Sequence, residues 1–287
     1  MILYFTGTGN SKFVADYLAD KLGDITVSMN KVLKNGEKLI CESEKPYIIV
    51  APIYAWRFPK VVEDLLIKSE LKGNKSVYCI ATMGENSGNA DKYLKKIFTD
   101  KAMSFTGYTG VVMQNNYLFM EKMPKPREAF KALNDVSAEL YKIVAKIKNG
   151  QQLEKTDKTP LAFLMSSAVN AGFNKFMVKK QSFNVDGDCI SCGKCVSGCP
   201  VNNIEMKDRK PVFKNNCAGC LACLHHCPKQ AINVRSDTQD KGRYVCAEYK
   251  YWKEKIVNNM LVTVKADNLL LSAFILLYNI DIYCVIF

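Results

Sequence analysis

Residues 1–22, MILYFTGTGNSKFVADYLADKL, combine an apolar run, a glycine-rich turn and an amphipathic segment. Residues 1–5 are apolar without interruption, which is typical of a strand that is buried on both faces of a sheet. From Asn10 to Leu22, apolar side chains recur at helical spacing. A strand, a tight turn and a helix in this order form the opening unit of a doubly wound α/β sheet.

The following segments repeat this alternation as far as residue 150. Four more apolar runs predict strands, at 25–29, 47–51, 77–82 and 108–113. Helical periodicity occurs between and after them, at 59–70, 88–100 and 127–148. We therefore expect residues 1–150 to form an α/β domain with a doubly wound, parallel, five-stranded sheet.

The turn after the first strand has the composition of an anion site. It supplies hydroxyl groups, backbone N–H groups and the partly positive N-terminus of a helix. Its residues are Thr6, Gly7, Thr8, Gly9, Asn10 and Ser11. The sequence is not a nucleoside triphosphate loop, which would contain Gly-Lys-Ser/Thr, nor a dinucleotide fingerprint, which would contain a third glycine. The turn therefore predicts a site for a phosphate group.

This turn resembles the phosphate loop of the flavodoxins, Ser/Thr-x-Thr-Gly-Asn-Ser/Thr. The resemblance implies a flavodoxin-like fold that binds the phosphate of FMN at the carboxyl ends of the strands. Two later loops fall at the same edge and would surround the isoalloxazine ring. Their candidate contacts are Pro52, Tyr54, Trp56, Thr82, Met83 and Gly84. The second loop contains none of the stacking aromatics that many flavodoxins place there, so we expect Tyr117 to substitute.

Eight of the twelve cysteines lie between Cys189 and Cys227. They form two runs of the pattern Cys-x-x-Cys-x-x-Cys-x-x-x-Cys-Pro, and the second run begins 28 residues after the first. Two-residue gaps allow a short loop to wrap three thiolates around one metal centre. Zinc sites also use Cys-x-x-Cys pairs, but zinc leaves the third cysteine and the Cys-Pro of each run unexplained. The pattern favours iron–sulfur clusters.

The two runs resemble those of the bacterial two-cluster ferredoxins at all eight cysteines and both prolines. The resemblance implies two [4Fe-4S] clusters in a small α+β domain at 184–245, in which the last cysteine of each run ligates the other cluster. The first cluster would take Cys189, Cys192, Cys195 and Cys227. The second would take Cys217, Cys220, Cys223 and Cys199. We interpret His225 and His226 as spacers or as hydrogen-bond donors behind the ligands, and residues 151–183 as a helical connector.

A flavodoxin-like domain followed by a two-cluster domain resembles the ferredoxin-fused flavodoxins. The resemblance implies an electron carrier that exchanges electrons between the clusters and FMN, with redox proteins as partners. Two alternatives remain open, namely an NAD(P)H-dependent flavin reductase with a ferredoxin outlet and a non-catalytic redox sensor. The formal net charge of +12 is not concentrated in a basic tail, so we expect no nucleic-acid partner.

Residues 246–287 do not continue the ferredoxin pattern. Segment 269–287 is largely apolar, but Asn279 and Asp281 would be costly near the centre of a bilayer. We therefore expect it to pack on protein rather than to associate with a membrane. Met1 leads directly into the first strand, and the cysteine spacing indicates metal-bound thiolates, so we expect a cytoplasmic protein.

Overall fold

The computed structural model describes residues 1–178, 182–234 and 236–266, and for 236, 237 and 258–266 it describes only the backbone. The chain divides into two compact units, Met1–Cys246 and a second that begins at Ala247. The predicted sheet and both cysteine runs lie in the first unit. The apolar segment 269–287, for which the sequence predicts packing on protein, lies outside the described residues.

The N-terminal half contains seven strands. They are β1 (Ile2–Tyr4), β2 (Thr26–Ser28), β3 (Ile40–Ser43), β4 (Tyr47–Pro52), β5 (Glu70–Gly73), β6 (Ser76–Met83) and β7 (Ser104–Val112). Five of them form a parallel sheet in the order β2-β1-β4-β6-β7, which confirms the predicted flavodoxin-like, doubly wound sheet. The chain leaves β1 for β2 on one side and returns to β4 on the other. A crevice therefore opens beyond the carboxyl ends of β1 and β4.

Five helices accompany these strands. They are α1 (Asn10–Leu22), α2 (Met29–Asn35), α3 (Lys60–Lys68), α4 (Ala90–Asp100) and α5 (Pro126–Lys148). The predictions of α1, α3, α4 and α5 are confirmed. The sequence analysis did not predict α2 or the small parallel pair β3–β5. These elements have seven residues or fewer, which is too short for a hydrophobic period to stand out.

Residues 151–178 first extend the sheet and then become helical. Leu153 forms a parallel bridge with Gly107 at the free edge of β7. The helical part consists of α6 (Ala162–Leu164), a π-helical stretch at Met165–Val169, α7 (Asn170–Gly172) and a second π-helical stretch at Phe173–Val178. This run lies within the predicted connector.

The cysteine runs lie in a small region of short strands and helices, as predicted. Its elements are β8 (Phe183–Val185), α8 (Lys194–Gly198), β9 (Ile204–Lys207), β10 (Lys210–Phe213), α9 (Ala222–His225), β11 (Ile232–Val234) and a 3-10 helix at Ser236–Lys241. The strands pair antiparallel, β8 with β11 and β9 with β10. Each cysteine run contains one of the two short helices, so the sequence repeat is also a structural repeat.

The two halves of the first unit share hydrophobic packing. Cys220 and Ala222 belong to the buried cluster that is built mainly on the parallel sheet and its helices. Conversely, Leu118, which follows β7, packs in a second cluster with Leu221 and Leu224. Burial of apolar surface stabilises a fold in proportion to the area removed from water. Contact between the halves therefore stabilises both.

The described part of the second unit is one helix, α10 (Tyr249–Ala266). Within the residues that the structure describes, no helix has both the length and the apolar character needed to cross a membrane.

Candidate cofactor sites

The crevice at the sheet edge brings together most of the residues that the sequence predicts for FMN. Its lining consists of Thr6, Gly7, Thr8, Asn10, Ser11, Pro52, Ile53, Tyr54, Thr82, Met83, Gly84, Gln114, Asn115 and Asn116. Three predicted contacts, Gly9, Trp56 and Tyr117, are not part of this lining. Four lining residues were not predicted as contacts, namely Ile53 in the loop after β4 and Gln114, Asn115 and Asn116 after β7. The last three have a signal in the sequence, which is a run of amides directly after the fifth apolar segment.

Internal hydrogen bonds hold the phosphate loop in shape. Gly9 adopts a left-handed conformation (φ 103°) at the start of α1, and its N–H donates to Thr6 Oγ1 over 3.0 Å. Asn116 Nδ2 donates to Thr8 Oγ1 over 2.8 Å, and the hydroxyls of Ser11 and Thr82 pair over 2.8 Å. Because the Thr6 and Thr8 oxygens act as acceptors, their hydroxyl hydrogens remain available to an anion. The loop therefore fits a phosphate group.

The loop after β4 turns sharply and places its two candidate flavin contacts, Tyr54 and Trp56, differently. Ala55 and Trp56 both have positive φ (46° and 65°), which is an uncommon and strained conformation for residues other than glycine. The Tyr54 N–H donates to the Arg57 carbonyl across this turn over 2.8 Å. Tyr54 lines the crevice, whereas Trp56 is half-buried outside its lining. Stacking on the flavin ring by either residue stays a prediction.

The predicted substitute, Tyr117, lies in an aromatic group. Its ring packs against the ring of Phe119 at 4.9 Å between centroids and against that of Phe173 at 6.5 Å. Phe173 belongs to the helical connector, so these rings join the segment after β7 to the connector. Contact of Tyr117 with a flavin stays a prediction.

The connector braces the loop that follows β6, which sequence reasoning missed. Asp157 accepts hydrogen bonds from the N–H and the hydroxyl of Ser87, over 2.9 and 2.8 Å. Thr159 Oγ1 accepts from the Gly88 N–H over 2.9 Å. These partners are about 70 residues apart, so no local pattern links them. The loop is thereby fixed at the edge of the crevice.

The same connector also holds the loop that follows β4. Ser166 Oγ accepts from the Asn89 N–H over 2.8 Å and donates to the Trp56 carbonyl over 2.9 Å. Asn170 Nδ2 donates to the carbonyls of Tyr54 and Ala55, over 3.1 and 2.8 Å. Ser166 and Asn170 are buried polar side chains in a helical segment that otherwise carries many apolar residues. That contrast is the signal that would have pointed to them.

The eight cysteines of the two runs separate into two sets of four, each around its own cavity. The first set is Cys189, Cys192, Cys195 and Cys227. The second set is Cys199, Cys217, Cys220 and Cys223. In each cavity, three cysteines come from one run and the fourth from the end of the other run. Among the described residues, these two sets included, no three His, Cys, Asp or Glu side chains are grouped closely enough to hold a single metal ion. A cubane cluster needs a wider spacing than a single ion, because each of its four thiolates binds a different iron atom.

The two sets differ in exposure and in the chemistry of their thiols. Cys192 in the first set is exposed, whereas Cys199 and Cys220 in the second set are buried. Burial raises the pKa of the Cys220 thiol to about 12, and neighbouring cysteines add to that increase. A thiolate in such a cavity needs a cation to compensate its charge. Backbone N–H groups also point to sulfur, from Asn203 to Cys199 Sγ and from Gly219 to Cys217 Sγ, over 3.2 and 3.3 Å. These features fit iron–sulfur clusters.

The second cysteine set lies directly against the phosphate loop. A Cβ atom added to Gly7 would overlap the carbonyl oxygen of Cys220, so only glycine permits this approach. The same added atom would lie 3.2 Å from Tyr54 Oη. The two candidate cofactor sites are therefore adjacent, with the backbone of Gly7 and Cys220 in contact between them.

His225 joins the same two regions by hydrogen bonds. Its Nδ1 accepts from the Tyr244 N–H over 3.0 Å, so its Nε2 carries the hydrogen and donates to the Asn116 carbonyl over 2.9 Å. Burial lowers the pKa of His225 to about 4, which keeps the ring neutral. The sequence predicted that His225 is a spacer or a hydrogen-bond donor behind the cysteine ligands. In the structure the ring does act as a donor, but its acceptor is the Asn116 carbonyl in the other half of the first unit. His226 is exposed, in keeping with a spacer.

Comparison with known proteins agrees with both halves. Residues 1–124 match a family model described as a flavodoxin domain, and residues 188–231 match one described as a 4Fe-4S dicluster domain. A ferredoxin from Pyrobaculum islandicum is 28% identical over 80 residues, which cover 27% of this chain and 75% of that protein. A ferredoxin from Methanothermococcus thermolithotrophicus is 35% identical over 46 residues, which cover 15% of this chain and 77% of that protein.

Among solved structures, the Trp repressor binding protein from Bacillus subtilis aligns with a TM-score of 0.30 at 15% identity, over 51% of this chain and 95% of that chain.

The two domains matched by the family models define a flavodoxin joined to a dicluster ferredoxin. This chain is a fusion of a flavodoxin domain and a ferredoxin-like dicluster domain.

Proposed function

We propose that this chain exchanges electrons between FMN in the crevice and two [4Fe-4S] clusters, one in each cysteine set. The flavodoxin and dicluster domains support an electron-transfer flavo-iron-sulfur protein in general. The contact of Gly7 with Cys220 carries the proposal, because it brings the phosphate loop and one cysteine set together within a single compact unit.

Each group, when bound, would supply a distinct capacity. The clusters would transfer single electrons and FMN would accept one or two, so their combination would link one-electron partners to two-electron chemistry. The chain supplies the thiolates, the anion-binding loop and the rigid contact between them. Short separation in one folded unit replaces diffusional encounter between two proteins.

The exposure of the two cysteine sets suggests which one faces the partner. Cys192 and the neighbouring Ile190 are exposed at the first set, with Ile190 at 57%. Cys199 and Cys220 are buried beside the flavodoxin half. We therefore assign the first set to exchange with external redox proteins and the second to exchange within the chain.

Anaerobic reconstitution with iron, sulfide and FMN tests this proposal. The expected content per chain is about eight iron, about eight sulfide and about one FMN, as two cubane clusters and one flavin require. A chain that takes up the iron but retains no FMN when FMN is in excess would contradict the flavin half of the proposal. A chain that retains FMN but takes up no iron would contradict the cluster half.

A further inference from the structure

Lys34 connects the flavodoxin half to a cysteine of the second set. It lies in the last turn of α2, and its Nζ donates to the carbonyl oxygens of Val196 and Cys199, over 2.9 and 3.2 Å. Val196 belongs to α8, and Cys199 is the residue at which this helix ends. Lysine side chains commonly bond the last carbonyl groups of a helix. Here the lysine comes from the other half of the first unit.

Asn202 holds the Lys34 ammonium group in this position. Its Oδ1 accepts from Lys34 Nζ over 3.2 Å, and its Nδ2 donates to the Lys34 carbonyl over 2.6 Å. The two segments are therefore joined in both directions. Cys199 Sγ belongs to the same residue as one of the acceptors, so covalent geometry places it within about 8 Å of the ammonium nitrogen.

The charge of this ammonium group is not neutralised by its partners. All three acceptors are uncharged oxygen atoms. The described residues that line the cavity of the second set include no charged side chain other than cysteine thiolates. The cavity of the first set, by contrast, has Lys194 and Lys229 in its lining. Because Lys34 is half-buried, water and salt screen its charge less than that of an exposed lysine.

We propose that Lys34 raises the reduction potential of the cluster held by Cys199, Cys217, Cys220 and Cys223, by placing a positive charge beside Cys199. This inference rests on the proposed function, because it requires a cluster in the second set. Reduction adds one negative charge to a cluster, and a nearby positive charge stabilises the reduced form more than the oxidised form. The flavodoxin half thereby favours an electron on the cluster that lies against its own phosphate loop.

The test compares Lys34→Met with the wild-type protein, both loaded anaerobically with iron, sulfide and FMN. Methionine keeps an unbranched side chain and removes the charge. Redox titration followed by EPR gives the potential of each cluster, and the signal that is lost in Cys217→Ser identifies the second cluster. We expect this cluster to become harder to reduce by about tenfold in its one-electron equilibrium constant, or about 59 mV. The first cluster, whose cysteines do not bond to Lys34, should shift by less.

Two variants separate the charge of Lys34 from the contact that it makes. Lys34→Arg keeps a positive charge and should retain the wild-type potential. Asn202→Gly removes both side-chain hydrogen bonds of Asn202 but leaves the charge in place. Asn202 has a positive φ of 51°, which glycine adopts without strain. This variant should lower the melting temperature of the loaded protein and leave the potential of the second cluster unchanged.

Lys31→Met is the matched control for the loss of a lysine. Lys31 lies in the same helix, but it is exposed. Exposed charges are largely screened by salt at this range, so both cluster potentials should stay at the wild-type values.

The outcomes distinguish this proposal from the proposed function. An unchanged potential of the second cluster in Lys34→Met would overturn the proposal, as would an equal shift in Asn202→Gly, which would assign the effect to the contact instead of the charge. Wild-type protein that binds no iron would contradict the proposed function.

A further variant decides the matter if Lys34→Met does not load. Lys34→Gln keeps a hydrogen-bond donor without a charge, and the same shift is expected for it. If neither uncharged variant loads whereas Lys34→Arg does, Lys34 is required for assembly of the cluster rather than for its potential, and the proposal is wrong.

Discussion

Gly7 is the residue at which the phosphate loop meets the second cysteine set. A methyl group here would overlap the Cys220 carbonyl, which belongs to the backbone and cannot rotate away. We therefore expect Gly7→Ala to push the two halves apart and to lower the free energy of unfolding of the loaded protein by about 1–3 kcal/mol. Urea denaturation, followed by flavin fluorescence and cluster absorbance, measures this change.

Gly172→Ala is the control for that substitution. A Cβ atom added to Gly172 meets no other atom within 4 Å, and the residue is helical. Alanine is favoured over glycine in a helix by about 1 kcal/mol, so this variant should be as stable as the wild type or slightly more stable. Equal stability of Gly7→Ala and the wild type would contradict close contact at Gly7.

His225 provides the second prediction at this scale. His225→Ala would leave the buried Tyr244 N–H without its partner, at a cost of about 1–3 kcal/mol, and would also remove the partner of the part-buried Asn116 carbonyl. Calorimetry of the loaded protein should show a lower melting temperature. His226→Ala removes a neighbouring exposed ring and should have little effect. Equal melting temperatures for the two variants would show that the His225 hydrogen bonds contribute nothing.

Sequence patterns reveal single residues only where their partners are close in the chain. Thr6 and Ser11 could be predicted because the phosphate loop is one contiguous segment between a strand and a helix. The surroundings of the Tyr54 hydroxyl and the acceptor of the His225 ring could not, because Cys220 and Asn116, respectively, lie more than 100 residues away in the chain. Residue type alone predicted only that Tyr54 is one of the aromatic side chains that could contact the flavin ring.

The connector is the element that shapes the crevice from outside the sheet. Asp157→Ala would release the Ser87 N–H and hydroxyl and loosen the loop after β6. We expect FMN affinity to fall by about tenfold, since tenfold corresponds to about 1.4 kcal/mol, the scale of one or two hydrogen bonds. Fluorescence titration of the flavin-free protein with FMN measures the dissociation constant.

Glu154 supplies the control for Asp157. It is a carboxylate in the same connector, its side chain is 80% exposed, and its ion pair with Lys146 is long at 4.0 Å. Glu154→Ala should leave FMN affinity unchanged, because exposed ion pairs contribute little. Equal effects of the two substitutions would mean that lost charge, rather than loop bracing, controls affinity.

The two cysteine runs form a pair of elements that exchange their last residue. If Cys199 completes the second set, then Cys199→Ser and Cys217→Ser disturb the same cluster and leave the same EPR signal from the other. Cys189→Ser should disturb the first cluster instead and leave the EPR signal of the second cluster. If Cys199→Ser left the same EPR signal as Cys189→Ser, each run would hold its own cluster. The prediction that the runs exchange their last cysteine would then be wrong.

Elements were predictable from sequence in proportion to their length and burial. The buried strands β4 and β6 appear as uninterrupted apolar runs, and α5 carries a long hydrophobic period. The four-residue strands β3 and β5 are partly exposed and give no comparable signal. The sequence predicted a helical connector, but its hydrogen bonds to both crevice loops depend on the folded arrangement.

At the scale of the whole molecule, shared packing makes the two halves one compact unit. The sequence predicted the two folds and their order, because each has its own motif. It did not predict that Leu118 packs with Leu221 and Leu224, or that Cys220 belongs to the core of the sheet half. Such contacts join segments about 100 or more residues apart. These contacts hold the candidate FMN site and the two cysteine sets in a fixed arrangement.

The most direct test of electron exchange within the chain is flash photoreduction of the loaded protein under anaerobic conditions. Cluster bleaching and flavin absorbance are followed in time over a range of protein concentrations. Our account predicts that electrons delivered to the clusters reach the flavin at a rate independent of protein concentration, because donor and acceptor share one folded unit. A rate proportional to protein concentration, or clusters that stay reduced while the flavin stays oxidised, would contradict it.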